Sequence, residues 1–144
     1  MIFLDSDIFL RFLTAPTDDA SALLKERARD LFHGILSGSI EATTSEVVLH
    51  EVSYVLTSRR QYGIPASEVI RMLRPLIVLR SLKLGAGEKS VVLRALDLWD
   101  RHPTLEFSDS VIAARCEANN WELATFDEQL GSLPEITRWQ AAPL

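Results

Sequence analysis

The sequence holds a single cysteine, Cys116, and three scattered histidines, His33, His50 and His102. A lone cysteine excludes an internal disulfide and any zinc site assembled from cysteines. Within a helical stretch it reads as a small buried residue rather than a nucleophile. No apolar run is long enough to cross a bilayer. The opening Met1-Ile2-Phe3-Leu4 meets Asp5 too soon for a signal peptide, and no basic segment precedes it. The expectation is a cytoplasmic protein with no membrane partner. There is no internal repeat, low-complexity tract or linker. There is no Gly-rich phosphate loop either, and Gly85-Ala86-Gly87 reads as a turn.

What remains is ordinary for a globular chain. Its 144 residues, 47% hydrophobic and 24% charged, suit a single domain over 1–144 with a sizeable core. The net charge of −5 argues on average against a polyanionic partner. The average hides a segregation. From Arg59 to Lys83 there are six basic residues, Arg59, Arg60, Arg71, Arg74, Arg80 and Lys83, and one acid, Glu68. Such a run is more often a solvated helical surface. The sharper reading is a phosphate-backbone footprint beside an acidic site.

Residues 2–4 read as a short buried strand, and residues 7–13 as one or two helical turns. Helical periodicity runs over 20–36 and stops at Gly38. Residues 40–44 look strand-like, and 45–60 form a second amphipathic helix. A helix is expected from about Ser67, a strand within 77–84, and helices over 85–100 and 108–119. Strands are expected over 121–125 and near 136–139. Trp99, Trp121 and Trp139 read as core or interface residues. Alternation of this kind predicts an α/β class with a parallel sheet and helices on both faces. Such sheets bind ligands at the carboxyl ends of their strands.

The carboxylates fall at telling places. Asp5 stands at the carboxyl end of the first strand, where an acid alone more often opens a turn or caps a helix. Asp7 suits an N-cap, with Arg11 four residues on. Glu46 suits a capping box with Thr43 and takes no catalytic role. Glu51 differs, because Val47, Val48, Tyr54 and Val55 share its helix face and place it toward the core. No Lys or Arg lies within a turn of it, and a buried unpaired carboxylate is costly. Asp109 has Leu105, Ile112 and Ala113 on its side, and also suits a first-turn acid after a Ser108 cap. Asp127 follows a strand, and alone it reads as a first-turn acid after a Thr125 cap with Glu128 completing the box. Together, Asp5, Glu51, Asp109 and Asp127 carry more weight. Four carboxylates cannot share one cleft fully ionised without a cation. Oxygen donors without His or Cys favour Mg²⁺ or Mn²⁺. Asp5 would then be a metal ligand and Asp7 a cap that holds the turn.

The stretches IFLDSDIFLRFL, TTSEVVLHEVSYVL, FSDSVIAA and LATFDEQL, in this order and spacing, resemble the four acidic motifs of PIN-domain nucleases. The compact length resembles the VapC toxins of toxin–antitoxin pairs more narrowly. The resemblance implies a three-layer α/β/α fold with a central parallel sheet. It makes Asp5, Glu51, Asp109 and Asp127 the acidic site, with Asp5 and Asp109 as first metal ligands and Glu51 and Asp127 as further candidates. Asp7 and Thr125 would support them, and Arg59, Arg60, Arg71 and Arg74 would contact RNA. The implied activity is metal-dependent endonucleolytic cleavage of RNA by a homodimer that a cognate antitoxin holds inactive. Two positions depart from the pattern. Asp7 stands where the family often has Asn, and Phe107 where many members have a polar or acidic residue.

Two rivals start from the same residues. Strand-Asp-x-Asp also resembles the nucleophile motif of haloacid-dehalogenase-type phosphatases, with Asp5 attacking phosphorus, Asp7 handling protons and Lys89 as the lysine. FSDSVIAA lacks the late acid pair that family needs. A PIN-like module that binds RNA or protein without cutting is the other rival, and the retention of all four acids disfavours it.

Overall fold

Every strand among the described residues is two residues long, and every strand pairing is parallel. Parallel neighbours need a crossover, and helical segments supply it each time. The computed structural model describes residues 1–140 and 142–143. The chain divides into two compact units, Met1–Lys89 and Ser90–Leu144.

In the first unit β1 (Ile2–Phe3) pairs with β2 (Ala42–Thr43), which pairs with β3 (Leu82–Lys83). Ile2 stands opposite Ala42, and Ala42 opposite Leu82. Side chains extend the ladder. The Thr44 hydroxyl donates to the Leu4 carbonyl at 3.0 Å, and the Thr43 hydroxyl to that of Lys83 at 2.9 Å. The crossovers are α1 (Ser6–Leu13) and α2 (Asp19–Ser37), then α3 (Glu46–Thr57) and α4 (Ala66–Ile77). Helix α2 carries its own boundaries. Asp18 accepts from the Ser21 amide at 2.7 Å, Ser21 Oγ accepts from the Asp18 amide at 3.0 Å, and Gly38 ends the helix at φ +82°. The end of α1 is held from a distance: Lys25 Nζ donates to the carbonyls of Phe12 and Thr14. Phe32 packs on Phe9 and Phe12, with ring centroids 5.5 and 4.5 Å apart.

Three expectations change here. Residues 2–4 were to be a buried strand, yet Ile2 and Phe3 are 43% and 58% exposed and Leu4 alone of the three is buried. Edge position alone is not the reason, since Leu82 on the opposite edge strand is fully buried. The strand expected within 77–84 shrinks to Leu82–Lys83 because α4 runs to Ile77. The cap of α3 is Ser45, whose Oγ accepts from the Val48 amide at 3.5 Å, not Thr43, whose hydroxyl serves the sheet.

The second unit holds α5 (Glu88–Arg101, begun two residues earlier), α6 (Phe107–Asn119), β4 (Glu122–Leu123), α7 (Glu128–Gly131) and β5 (Thr137–Arg138). Strands β4 and β5 pair in parallel. The Trp99 indole donates to the Leu105 carbonyl at 2.9 Å and lies 5.8 Å from the Phe107 ring, so Trp99 is core as expected. Trp121 and Trp139 are instead 57% and 50% exposed. Arg94 makes two bonds to Glu117, at 2.7 and 2.9 Å, which ties α5 to α6. Their mutual bonding raises the Arg94 pKa and lowers that of Glu117. Cys116 is buried, and burial pushes its thiol pKa up, which suits a packing residue.

The α/β class with a parallel sheet is borne out. Among the described residues, no helix is long and apolar enough to cross a membrane.

Candidate active site

Asp5 follows β1 after one residue, the buried Leu4. Its backbone is extended, at φ −84° and ψ 168°, and Oδ1 accepts from the Ser6 amide at 2.8 Å. Asp5 is therefore the N-cap of α1, a role the sequence assigned to Asp7. The helix begins one residue earlier than expected, which moves Asp7 into its first turn, exposed, where the dipole favours an acid. Among the described residues no ion pair joins Asp7 to Arg11.

Glu51 is exposed, and this corrects the argument from its helix face. The buried stripe of α3 is Val48, Leu49, Val52, Ser53 and Leu56. Val47 and Tyr54, neighbours of Glu51 on the helix surface, are 75% and 59% exposed. Glu51 therefore carries no burial cost. It is a solvated carboxylate set among exposed apolar residues, with no hydrogen bond among the described residues.

Asp109 is half-buried in the first turn of α6. The helix starts at Phe107, and its N-cap is Glu106 rather than Ser108. The buried side chains of Leu105 and Phe107 anchor the chain on either side of that cap. Asp109 Oδ2 accepts from the Glu106 amide at 3.3 Å.

Asp127 is itself the N-cap of α7, where the sequence made it a first-turn acid behind a Thr125 cap. Its Oδ1 accepts from the Leu130 amide at 3.0 Å. Thr125, expected to be the cap, accepts with Oγ1 from the Asp127 amide at 3.0 Å. It thus holds the backbone of the acid rather than its carboxylate. Glu128, expected to complete that box, is bound instead by Arg138 at 3.0 and 2.9 Å. This contact lowers the Glu128 pKa and raises that of Arg138. Arg138 also donates to the Thr125 carbonyl at 2.9 Å, and Gln129 Nε2 donates to Thr104 Oγ1 at 2.6 Å. Sequence reasoning did not find Arg138. Its partners lie ten and thirteen residues away, and no periodicity marks them.

Among the described residues, no three His, Cys, Asp or Glu side chains gather as a metal-binding group. The first unit carries Asp5 and Glu51, and the second carries Asp109 and Asp127. The four share one chemical feature. Asp5, Asp109 and Asp127 each commit one carboxylate oxygen to a backbone amide and leave the other without a hydrogen bond among the described residues, while Glu51 leaves both. An anchored carboxylate with a free oxygen suits a hard divalent cation or an ordered water.

The basic segment is largely solvated. Arg59, Arg60, Arg71, Arg80 and Lys83 are exposed, and Arg74 is half-exposed. Lys89 is committed elsewhere. Its Nζ donates to the carbonyls of Leu79 and Leu82 at 2.6 and 2.7 Å, and burial with Lys83 nearby lowers its pKa. The lysine required by the phosphatase reading is thus a tie within the first unit.

The PIN domain family matches residues 2–136. No curated protein matches the chain. PIN domains are generally nucleases acting on nucleic acid, and they typically use divalent metals. The match covers nearly the whole sequence and includes all four acidic stretches, so this chain belongs to the PIN-domain family.

Proposed function

We propose that the chain is a divalent-metal-dependent endoribonuclease and the toxin of a VapBC-type toxin–antitoxin pair. On this reading residues 1–144 form one PIN-like nuclease domain, acting in the cytoplasm as a homodimer that a cognate antitoxin holds inactive. Asp5, Glu51, Asp109 and Asp127 are the acidic residues required for cleavage, with Asp5 and Asp109 as first metal ligands. Asp7 and Thr125 support them. Arg59, Arg60, Arg71 and Arg74 bind the RNA backbone.

The observation that carries the reading is the family match over 2–136, which contains the four acids in order. The donor chemistry fits Mg²⁺ or Mn²⁺: all-oxygen ligands, each with an oxygen that accepts no hydrogen bond among the described residues. A bound ion would supply an activated water and neutralise charge at the scissile phosphate. The chain's own contribution is to fix the carboxylates. The Ser6, Glu106 and Leu130 amides each hold one oxygen, and Thr125 holds the Asp127 backbone.

Two measurements test the proposal. Purified protein should cut RNA with Mg²⁺ or Mn²⁺, and each acid-to-amide variant should lose that activity. Expression should arrest growth of a host cell, and co-expression of a small adjacent reading frame should relieve the arrest. RNA binding without cleavage would point to the non-cutting module. Cleavage without toxicity would leave a nuclease with another role in the cell.

A further inference from the structure

The loop after β4 and the end of β5 border an open surface cleft of about 420 Å³. Phe126 and Trp139 both line it. Phe126 is fully exposed, and Trp139 is 50% exposed. Exposed apolar side chains scattered singly need no explanation. Two aromatics lining one cavity are different, because together they offer flat apolar surface that a ligand would bury. The volume falls within the range of small-ligand sites.

Charge narrows the occupant. Arg138 lines the cleft, but its Nη1 and Nη2 bind Glu128, and Nη2 also binds the Thr125 carbonyl. Glu128 lines the cleft too, so the pair is locally neutral. A phosphate would have to displace Glu128. A flat, uncharged ring with a hydrogen-bonding edge would not, and Gln140, whose side chain carries both a donor and an acceptor, also lines the cleft. Phe126 directly precedes Asp127, which brings the cleft next to one of the proposed acidic residues.

We propose that this cleft receives one unpaired nucleobase of a single-stranded RNA substrate, stacked on Phe126 and Trp139 and read at its edge by Gln140. The inference rests on the ribonuclease reading above. It deepens that reading by assigning a specificity pocket and by requiring an unpaired nucleotide near the cut.

The test is a cleavage series on short oligoribonucleotides in which one abasic position is moved along the strand. The parent should show one position where base removal lowers kcat/KM by roughly five- to 150-fold. Phe126→Ala and Trp139→Ala should lower kcat/KM on the intact strand by a similar factor and abolish the sensitivity at that position. Phe126→Leu, which keeps apolar bulk, should fall between. Melting temperatures within a few degrees of the parent would show that the variants fold. A parent insensitive to every abasic position, or variants that keep the parent's sensitivity, would overturn the pocket while leaving the nuclease standing. Free nucleoside monophosphates should inhibit only weakly. Inhibition as tight as that by an oligonucleotide would make the cleft a mononucleotide site and overturn the strand-borne base. A parent that cuts no RNA would overturn the ribonuclease reading, and the pocket with it.

Discussion

Asp127 and Leu130 are joined by a 3.0 Å bond from the Leu130 amide to the Asp127 carboxylate, which starts α7 and leaves the second carboxylate oxygen without a hydrogen bond among the described residues. One side chain thus serves the fold with one oxygen and offers the other for chemistry. The two roles separate by substitution. Asn caps a helix about as well as Asp, whereas Ala costs about 0.5–2 kcal/mol. Asp127→Asn should therefore melt close to the parent and lose RNA cleavage by at least about a hundredfold. Asp127→Ala should lose both. Equal activity in parent and Asn variant would reduce Asp127 to a cap.

The same logic applies to metal. Cleavage should stop in EDTA, resume with Mg²⁺ or Mn²⁺, and leave a 5′-phosphate, as expected when water attacks in line. Labelled-end mapping distinguishes this from a cyclic phosphate, which would contradict water as the nucleophile. Metal should also raise the melting temperature of the parent more than that of Asp5→Asn, since a ligand that binds only the folded state stabilises it. Equal shifts would remove Asp5 from the ligand set.

Arg59, Arg60 and Arg71 are exposed in the basic segment. Neutralising all three should weaken RNA binding uniformly across sequences. Every arginine–phosphate pair that the substitutions remove should reduce the slope of log affinity against log salt by about 0.7 on single strands. Titrations at several salt concentrations supply the slope. An unchanged slope would leave the segment a solvated surface.

Arg94 and Glu117 give a pH dependence. The bidentate contact holds the Glu117 pKa below its ordinary 4.5. A carboxylate lowered in the folded state binds fewer protons there than in the unfolded chain. Its stabilisation is therefore present above about pH 4.5 and is lost as pH falls through the folded value. Both side chains are about a third exposed, so the loss should stay below about 1 kcal/mol. Glu117→Gln should melt lower than the parent at pH 7, and the gap should close as pH falls from about 4.5 through the folded value. A constant gap would assign the contribution to packing.

Where local chemistry decides, the sequence was legible. Helix α2 ends at Gly38, as its periodicity predicted, and the parallel α/β class followed from the alternation of elements. The four acidic stretches were visible as a set, and the family match spans them. Legibility failed by two residues at the caps of α1, α3 and α6. Asp5, Ser45 and Glu106 displaced Asp7, Thr43 and Ser108 there. Asp, Ser and Thr are all competent caps, so residue type alone does not choose between Asp5 and Asp7 or between Ser45 and Thr43. Thr43 is drawn into the sheet by the Lys83 carbonyl, forty residues away.

The sequence by itself determined which residues share a helix face, because a 3.6-residue repeat is a property of the backbone. It put Glu51 beside Val47 and Tyr54. Only the tertiary structure decided which face is covered. Helix α3 carries two apolar stripes, and its packing against α1 and α4 buries the one with Val48, Leu49, Val52 and Leu56, leaving Glu51 in solvent. Burial is a relation between elements, and a periodicity within one element cannot specify it. The same holds for Lys89 on the Leu79 and Leu82 carbonyls and for Arg138 on Glu128. Each is a long flexible cation whose partner is fixed only when the chain returns.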